Sequence, residues 1–357
     1  MIKCVIWDLD NTLFDGVYLE TPDQRPRPAP VATKVLHELA ERGILQAIAS
    51  RNPPEAASYA TELTGHAFAS VQCGWGAKSA AVSTALTELG LVQAEAAFVD
   101  DDAMERAEVS FHLPDVLVLD AHDLAEVPSW PQFSPPVITD EGRRRGELYL
   151  QRRARQEEAK AFGGSVEEFL RKAGTKVAIG PAGQQDGPRL AELSVRTHQL
   201  NSAGTEVSPQ TFDDLIRGPS DPDDPNGPSD PSGPGHQVIT VRLSDKFGDD
   251  GIVGGCIIKT GPTAHRVPLL MMSCRAIGRG VIDALLTWIC LTAKGEGAER
   301  VIVPCVINDR NVPLRIALTG AGFRAGDRRA GQNQAKADYV RSLAHLLPEL
   351  PDWVVTR

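Results

Sequence analysis

The sequence predicts an α/β chain of two domains, a parallel sheet with helices on both faces followed by an α+β domain around an antiparallel sheet. Three observations predict it. Short apolar runs alternate with helically spaced stretches over the first third. Proline-rich stretches then interrupt that rhythm, and the remainder reads as several strands, a helix and a further strand. At 357 residues, 42% of them hydrophobic and 24% charged, the chain has the composition of a globular protein with room for two domains.

The elements follow in order. Lys3 to Asp8 is an apolar run that reads as a buried strand, Val31 to Arg42 has helical spacing, and Ile44 to Ser50 is apolar again. Ser79 to Leu89 is an alanine-rich helix, Ala96 to Val99 a buried strand, Met104 to Ser110 a helix and Asp115 to Leu119 a last strand. Sites on such sheets lie at the carboxyl ends of the strands. Pro128, Pro131, Pro135 and Pro136 end the pattern, and Glu141 to Lys172 carries many charges at helical spacing. The reading is therefore a first domain over 1–125, a linker with connecting helices over 126–175 and a second domain over 176–357. Within the last, proline recurs at every third place from Pro219 to Pro234. Glycine does not, so collagen is excluded, and 218–235 reads as an extended or disordered surface insertion. Beyond it come strands at Gln237 to Leu243, Gly251 to Ile258 and Leu269 to Met272, a helix at Gly280 to Ala293 and a strand at Arg300 to Val306.

A net charge of −10 argues against nucleic acid or an anionic membrane as partner, since both need clustered Lys and Arg. Met1 runs into an apolar strand without a signal-like segment, and no stretch approaches the roughly 20 apolar residues of a membrane span, so a cytoplasmic enzyme is expected. Six cysteines are scattered without a CxxC pair, which predicts reduced thiols rather than disulfides or a zinc site.

Asp8-Leu-Asp10-Asn-Thr12 directly follows the first strand. One carboxylate there can attack a phosphoryl group while a second, two residues on, protonates the leaving oxygen and then activates water. Magnesium on hard oxygen ligands relieves the repulsion between anions, and Asp100 and Asp101, ending another strand, can help hold it; Asp102 reads as solvent-facing. Ser50 ends a third strand and Lys78 precedes a helix, supplying a hydroxyl and a cation for phosphate oxygens. These positions resemble the four motifs of the haloacid-dehalogenase-like (HAD) phosphatases over roughly the first 125 residues. The resemblance implies a Rossmannoid sheet, Asp8 as nucleophile, Asp10 as acid/base, Thr12, Ser50 and Lys78 as phosphate-binding groups, and Mg2+ held by Asp8, Asp10, Asp100 and Asp101. Little room for a cap domain lies between Thr12, Ser50 and Lys78, so the site is expected to be open.

In the second domain, Arg275-Ala-Ile-Gly278-Arg279-Gly280 joins a strand to a helix, where backbone N–H groups can face an anion. With the strand Val301 to Val306, the turn Asn308 to Pro313 and Gly322-Phe323, it resembles the pyrophosphate loop and late elements of the GNAT acyltransferases. A phosphopantetheine arm is the ligand that resemblance implies, with Arg275, Gly278, Arg279 and Gly280 holding it. Cys274 ends the preceding strand beside Arg275 and a helix N-terminus, which favour a thiolate and make it the nucleophile candidate. His198, expected on the first helix of this domain, is the candidate base, and Asp249 a residue to orient it.

The pair of domains, with Val5 to Gly16, Arg196 to Asn201, Asp245 to Asp249 and Ser273 to Gly280, resembles the FkbH-like glyceryl transferase/phosphatase family of polyketide biosynthesis over nearly the whole chain outside the proline-rich insertion. Members take 1,3-bisphosphoglycerate, remove its phosphates and deliver a glyceryl unit through an enzyme cysteine to an acyl carrier protein. The resemblance implies Cys274 as nucleophile and His198 as base, and Asn201 and Asp249 join the substrate-binding candidates. Arg275, Arg279 and, more remotely, Arg143 to Arg145 are the candidate basic patch for an acidic carrier. One alternative is an N-acyltransferase using acyl-CoA fused to an independent HAD phosphatase; another makes the first domain a non-catalytic docking module.

Overall fold

The computed structural model describes residues 1–20, 25–217, 236–326, 329–330 and 335–356. The proline-rich insertion expected over 218–235 lies outside them. The chain forms two compact units, Met1–Arg153 and Ala154–Arg357.

The first unit opens with β1 (Cys4–Trp7), a short helical turn (Leu9–Leu13) and two brief strands, β2 (Phe14–Asp15) and β3 (Arg27–Pro28), paired with each other. There follow α1 (Pro30–Glu41), β4 (Leu45–Ser50), α2 (Pro54–Thr64), β5 (Ser70–Cys73), α3 (Lys78–Leu89), β6 (Ala96–Asp100), α4 (Ala103–His112) and β7 (Leu117–Asp120). Five strands form a parallel sheet in the order β5-β4-β1-β6-β7. Side chains alternate across β1. Val5 and Trp7 pack with α1 and α2 residues such as Leu36 and Ala60, whereas Cys4 and Ile6 pack with Val82 and Leu86 of α3 and Val109 of α4. Burial on both faces is why β1 reads as an unbroken apolar run, and β4 as one broken inside only by Gln46, whose Oε1 accepts from Trp7 Nε1 at 2.7 Å. The sequence reading passes over α2 and β5. Strand β5 is an edge of four residues, only one of them fully buried, and carries no apolar run. In register, Trp7 lies beside Ile48 and Val99, and Ser50 beside Cys73, so the residues that leave the strands emerge along one edge.

Helices α5 (Asp140–Arg143), α6 (Arg145–Ala161) and α7 (Val166–Lys172) occupy the stretch read as connecting helices, and the two compact units part within α6.

The second unit contains β8 (Lys176–Pro181), α8 (Gly187–Arg196), α9 (Pro209–Arg217), β9 (His236–Asp245), β10 (Gly248–Lys259), β11 (Ala264–Met272), α10 (Val281–Gly295) and β12 (Arg300–Val306). It ends with α11 (Val312–Gly320), β13 (Arg324–Ala325), β14 (Arg329–Ala330), β15 (Ala335–Ser342) and β16 (Val354–Thr356). The sheet runs β13-β15-β12-β11-β10-β9-β8-β16, with β14 also on β15. It is mixed rather than wholly antiparallel, which corrects the expectation. Crossing through α10 returns the chain to the same end of the sheet, so β12 lies parallel to β11, and β16 parallel to β8.

That parallel pairing lasts only from Ala264 to Arg266 against Arg300 to Ile302. Beyond it the two strands diverge, and the segment Leu200 to Ser202 enters the opening. Ser202 N–H donates to Leu270 O at 2.9 Å, Met272 N–H to Leu200 O at 2.8 Å and Val306 N–H to Ser202 O at 2.8 Å. Asn201 thereby makes an antiparallel bridge to Met271.

A buried charge network closes the β9–β10 hairpin. Arg279 donates to Asp250 Oδ2 at 2.5 Å and to Asp245 Oδ2 at 2.6 Å, and Arg155 of α6 donates to Asp245 at 2.5 and 3.0 Å. Asp250 is fully buried and Arg279 4% exposed. Removing one partner strands charges that water cannot reach. Asp250→Ala is expected to cost about 3–5 kcal/mol in urea unfolding, whereas Asp249→Ala, at an exposed turn, costs no more than about 1 kcal/mol.

Candidate functional site

At the carboxyl end of β1 the chain leaves the sheet through Asp8 and turns at Asn11, whose φ of 50° is a left-handed conformation that asparagine tolerates. Asp8 N–H is anchored on Val99 O at 2.9 Å. Lys78, 2% exposed at the start of α3, reaches into the same place. Its Nζ lies 2.6 Å from Asp8 Oδ1, 3.1 Å from Asp100 Oδ2, 2.6 Å from Glu105 Oε2 and 3.3 Å from Ala49 O. Ser50 adds a hydrogen bond to Asp8. The structure thus brings Asp8, Ser50, Lys78 and Asp100 together from four separate chain segments. Glu108 fixes the start of α3 by accepting from Lys78 N–H at 3.0 Å and Ser79 N–H at 3.2 Å.

Electrostatics at this point are unbalanced. Burial raises the pKa of Asp8 although Lys78 pulls it down. Burial likewise pushes Asp100 up to about 7, opposed by Lys78 and assisted by the charge of Asp8. Burial also works against the Lys78 ammonium, but Asp8 and Asp100 outweigh it, so its pKa is raised. One lysine faces three carboxylates.

Ligand oxygens of Asp8, Asp100 and Glu105 all lie within 4.8 Å of one another, and Asp100 Oδ2 is buried with the Lys78 ammonium at 3.1 Å. Hard oxygen donors with surplus negative charge suit Mg2+. The residues therefore fit the expected ion. The carboxylates of Asp10 and Asp101 do not join this group. Asp10 is held by Tyr18 N–H at 2.8 Å and Asn52 Nδ2 at 2.9 Å, and Asp101 faces Thr12 Oγ1 at 3.5 Å. Glu105 takes their place. It stands in the first turn of α4, and an acid five residues after Asp100 at a helix start was the available signal. Asp102 is exposed and caps α4 by accepting Met104 N–H at 2.7 Å.

In the second unit Cys274 sits half-buried in the turn Cys274–Ala276 that follows β11. Cys256 and Cys290 are buried in the core with their thiols pushed up by burial, which makes them inert by comparison. His198 is not on α8, as expected; the helix ends at Arg196 because the chain bends at Thr197 to enter the opening between β11 and β12. That insertion has a consequence for the site. His198 is two residues from Leu200 and Cys274 two from Met272, and Leu200 and Met272 are hydrogen-bonded at 2.8 Å, so the two chain segments run side by side.

His198 lines a cavity of about 410 Å3 with Thr197, Asn201, Gly204, Asn308 and Arg310. A second, of about 430 Å3, lies at the diverging strands beside Arg266, Pro268, Pro304 and Cys305. Asn201 is 3% exposed and organises its own loop: Oδ1 accepts Ala203 and Gly204 N–H at 3.0 Å each, and Nδ2 donates to Thr197 O.

Gly278 and Gly280 have φ of 76° and 65°, and a Cβ at either would meet nothing within 4 Å, so their glycines answer to backbone conformation rather than to close packing. Gly280 caps α10. Arg275 and Arg279 do not form an exposed basic patch. They are 6% and 4% exposed, Arg279 drawn inward by the carboxylates of Asp245 and Asp250, and Arg275 held by Asp250 O at 3.4 Å and Ser273 Oγ at 3.4 Å. Asp249 is exposed on that hairpin, where Oδ1 accepts Gly251 N–H at 2.8 Å. Arg143 and Arg144 pair at the surface with Glu41 and Glu147.

The first unit is a HAD-like, Rossmannoid parallel-sheet fold and the second an α+β, GNAT-like fold. No protein-family model and no curated protein matches the sequence. Among solved structures, the chain is similar to the N-terminal part of protein BF1531 from Bacteroides fragilis, containing a phosphatase domain complexed with Mg, at 26% identity and a TM-score of 0.32. That match covers 35% of this chain and 39% of the other, so the chain spans about two fifths of that protein's length. A hypothetical protein, XCC2798, from Xanthomonas campestris matches at 24% identity over 33% of this chain and 63% of its own, TM-score 0.28. An IAA acetyltransferase from Bacillus cereus matches at 12% identity over 47% of this chain and 99% of its own, TM-score 0.31. These overlaps are partial, and the assignment of class rests on strand order and site geometry. No helix among the described residues is long and apolar enough to cross a membrane.

Because Asp100 keeps its proton up to about pH 7, a cation must displace that proton below it. Mg2+ affinity measured by calorimetry is expected to fall about tenfold per pH unit below 7 and to level off above it. In the metal-free chain the same raised pKa acts on stability. The folded state holds the proton more tightly than the unfolded one, so this contribution is lost as pH rises from the ordinary 3.8 through about 7.

Proposed function

We propose that this protein is a bifunctional glyceryl transferase/phosphatase of the FkbH-like kind, loading a glyceryl unit from 1,3-bisphosphoglycerate onto the phosphopantetheine of an acyl carrier protein in polyketide biosynthesis. The observation that carries the reading is the insertion of Leu200 to Ser202 against β11, which runs the His198 and Cys274 segments together at the mouth of the glycine loop. An acyl transferase working only by direct transfer from acyl-CoA has no need of a cysteine there.

In the transfer half, Cys274 Sγ attacks the acyl carbonyl of the donor, the carbonyl–oxygen bond to the phosphate breaks, and His198 takes the thiol proton. Attack by the carrier thiol on the resulting thioester restores Cys274, with the proton returned through His198. In the phosphatase half, an Asp8 oxygen attacks the phosphorus of the remaining monoester while Asp10 gives its proton to the leaving oxygen. Water, deprotonated by Asp10, then cleaves the aspartyl phosphate and releases inorganic phosphate. Mg2+ on Asp8, Asp100 and Glu105 would supply the positive charge that lets one anion approach another. Lys78 holds Asp8 in place, with Ser50 beside it for phosphate oxygens, and Thr12 would serve the same end.

Intact-protein mass spectrometry after adding 1,3-bisphosphoglycerate and magnesium tests the reading. Wild type is expected to gain a hydroxylamine-labile glyceryl or phosphoglyceryl adduct that passes to a pantetheinylated carrier, and Cys274→Ala to gain none. Asp8→Asn is expected to retain the adduct and lose phosphate release by about 10³-fold or more. Equal acylation by wild type and Cys274→Ala from acyl-CoA, without an adduct, would instead establish an N-acyltransferase.

A further inference from the structure

We propose that Asn52 is the positioning residue of the phosphatase site, holding the Asp10 carboxyl toward the leaving oxygen of the substrate. The inference rests on the reading of Asp10 as the acid. Asn52 is 1% exposed at the end of the loop that follows β4. Its Nδ2 donates to Asp10 Oδ2 at 2.9 Å and lies 3.2 Å from Ser50 Oγ, while Tyr18 N–H holds Asp10 Oδ1 at 2.8 Å. Both oxygens of the acid are therefore fixed from outside the carboxylate group around Lys78, and each keeps a second lone pair for a proton.

The orientation of the amide follows from chemistry. Asp10 Oδ2 and Ser50 Oγ can both accept from the Asn52 NH2 group, and turning it to them leaves Oδ1 buried with no donor among the described residues. An unsatisfied buried acceptor is a cost to the fold of about 1–3 kcal/mol. A side chain serving only packing would not carry it. Here the amide gives up one of its own hydrogen bonds, and what it keeps is the grip on Asp10 and on Ser50, the two groups that flank a phosphoryl ester on its leaving and bound sides.

The step that depends on this grip is the first. As the bond from Asp8 to phosphorus forms and the phosphorus–ester oxygen bond breaks, the ester oxygen takes the electron pair and the proton of Asp10. An alkoxide leaving group needs that proton; a nitrophenolate does not. The effect of Asn52 should therefore scale with the basicity of the leaving group, and kcat/KM reports that step because it ends at the first irreversible event.

The test compares 3-phosphoglycerate with p-nitrophenyl phosphate on wild type, Asn52→Ala and Asn52→Ser in the presence of magnesium. For Asn52→Ala, kcat/KM is expected to fall about 10²-fold with 3-phosphoglycerate and less than about threefold with the aryl ester. Asn52→Ser, which keeps a donor, is expected to recover part of the loss on the alkyl ester. Equal losses on both substrates would mean that Asn52 only supports the fold, and no loss on either would remove it from the site; both outcomes overturn the proposal. A wild type that hydrolyses neither ester would overturn the phosphatase reading itself, and this proposal with it.

Discussion

A lysine ammonium buried among carboxylates is the constraint on which the first unit is arranged. An ion taken out of water is costly unless paired, and Lys78 meets this demand by drawing Asp8, Asp100 and Glu105 to within about a hydrogen bond of one nitrogen. Those partners come from the end of β1, the end of β6 and the first turn of α4, so the pairing can form only when the parallel sheet is in register. The arrangement overshoots. Burial leaves Asp8 and Asp100 reluctant to ionise although Lys78 stands beside both, and this residual strain is what a divalent cation would relieve. Fold and reactivity are in this sense the same electrostatic problem seen at two charges.

The second unit solves a different problem, that of an open sheet. Parallel strands joined by a crossover helix diverge at their carboxyl ends, and unpaired backbone N–H and C=O groups in that gap would have to be hydrated or covered. The segment after α8 covers them, and in doing so it becomes part of the sheet at Leu270, Met272 and Val306. Because the covering segment carries His198 and the covered strand leads into the turn at Cys274, the need to satisfy backbone hydrogen bonds also sets these two segments side by side. The buried network of Arg155, Asp245, Asp250 and Arg279 anchors the other side of the same loop to the β9–β10 hairpin.

Environment separates side chains that look alike in the sequence. Of the cysteines, Cys256 and Cys290 vanish into the core while Cys274 stays at a turn. Of the arginines near the glycine loop, Arg279 is consumed by the carboxylates of Asp245 and Asp250, and Arg275 is turned inward to the Asp250 backbone carbonyl. Of the acids at the first site, Asp10 is held apart from Asp8 by Tyr18 and Asn52 although the two are separated by a single residue. Two acids of adjacent position can thus take different chemical parts.

The sequence by itself determined the elements with a sustained apolar signal, the doubly covered strands β1, β4 and β6 and the largely buried helix α10, because a strand covered on both faces is mostly apolar up to its carboxyl end. It also determined the strand-end polar residues Asp8, Ser50, Lys78 and Asp100, since parallel strands deliver their carboxyl ends to one edge whatever the details of packing. Tertiary structure alone decided the rest. The edge strand β5 lacks an apolar run, the parallel pairing of β11 with β12 depends on a crossover, and the place of His198 depends on where a loop finds unsatisfied backbone. Membership of the carboxylate group passed from Asp10 and Asp101 to Glu105 for the same reason: a side chain's partners are set by distances through space, which spacing along the chain does not encode.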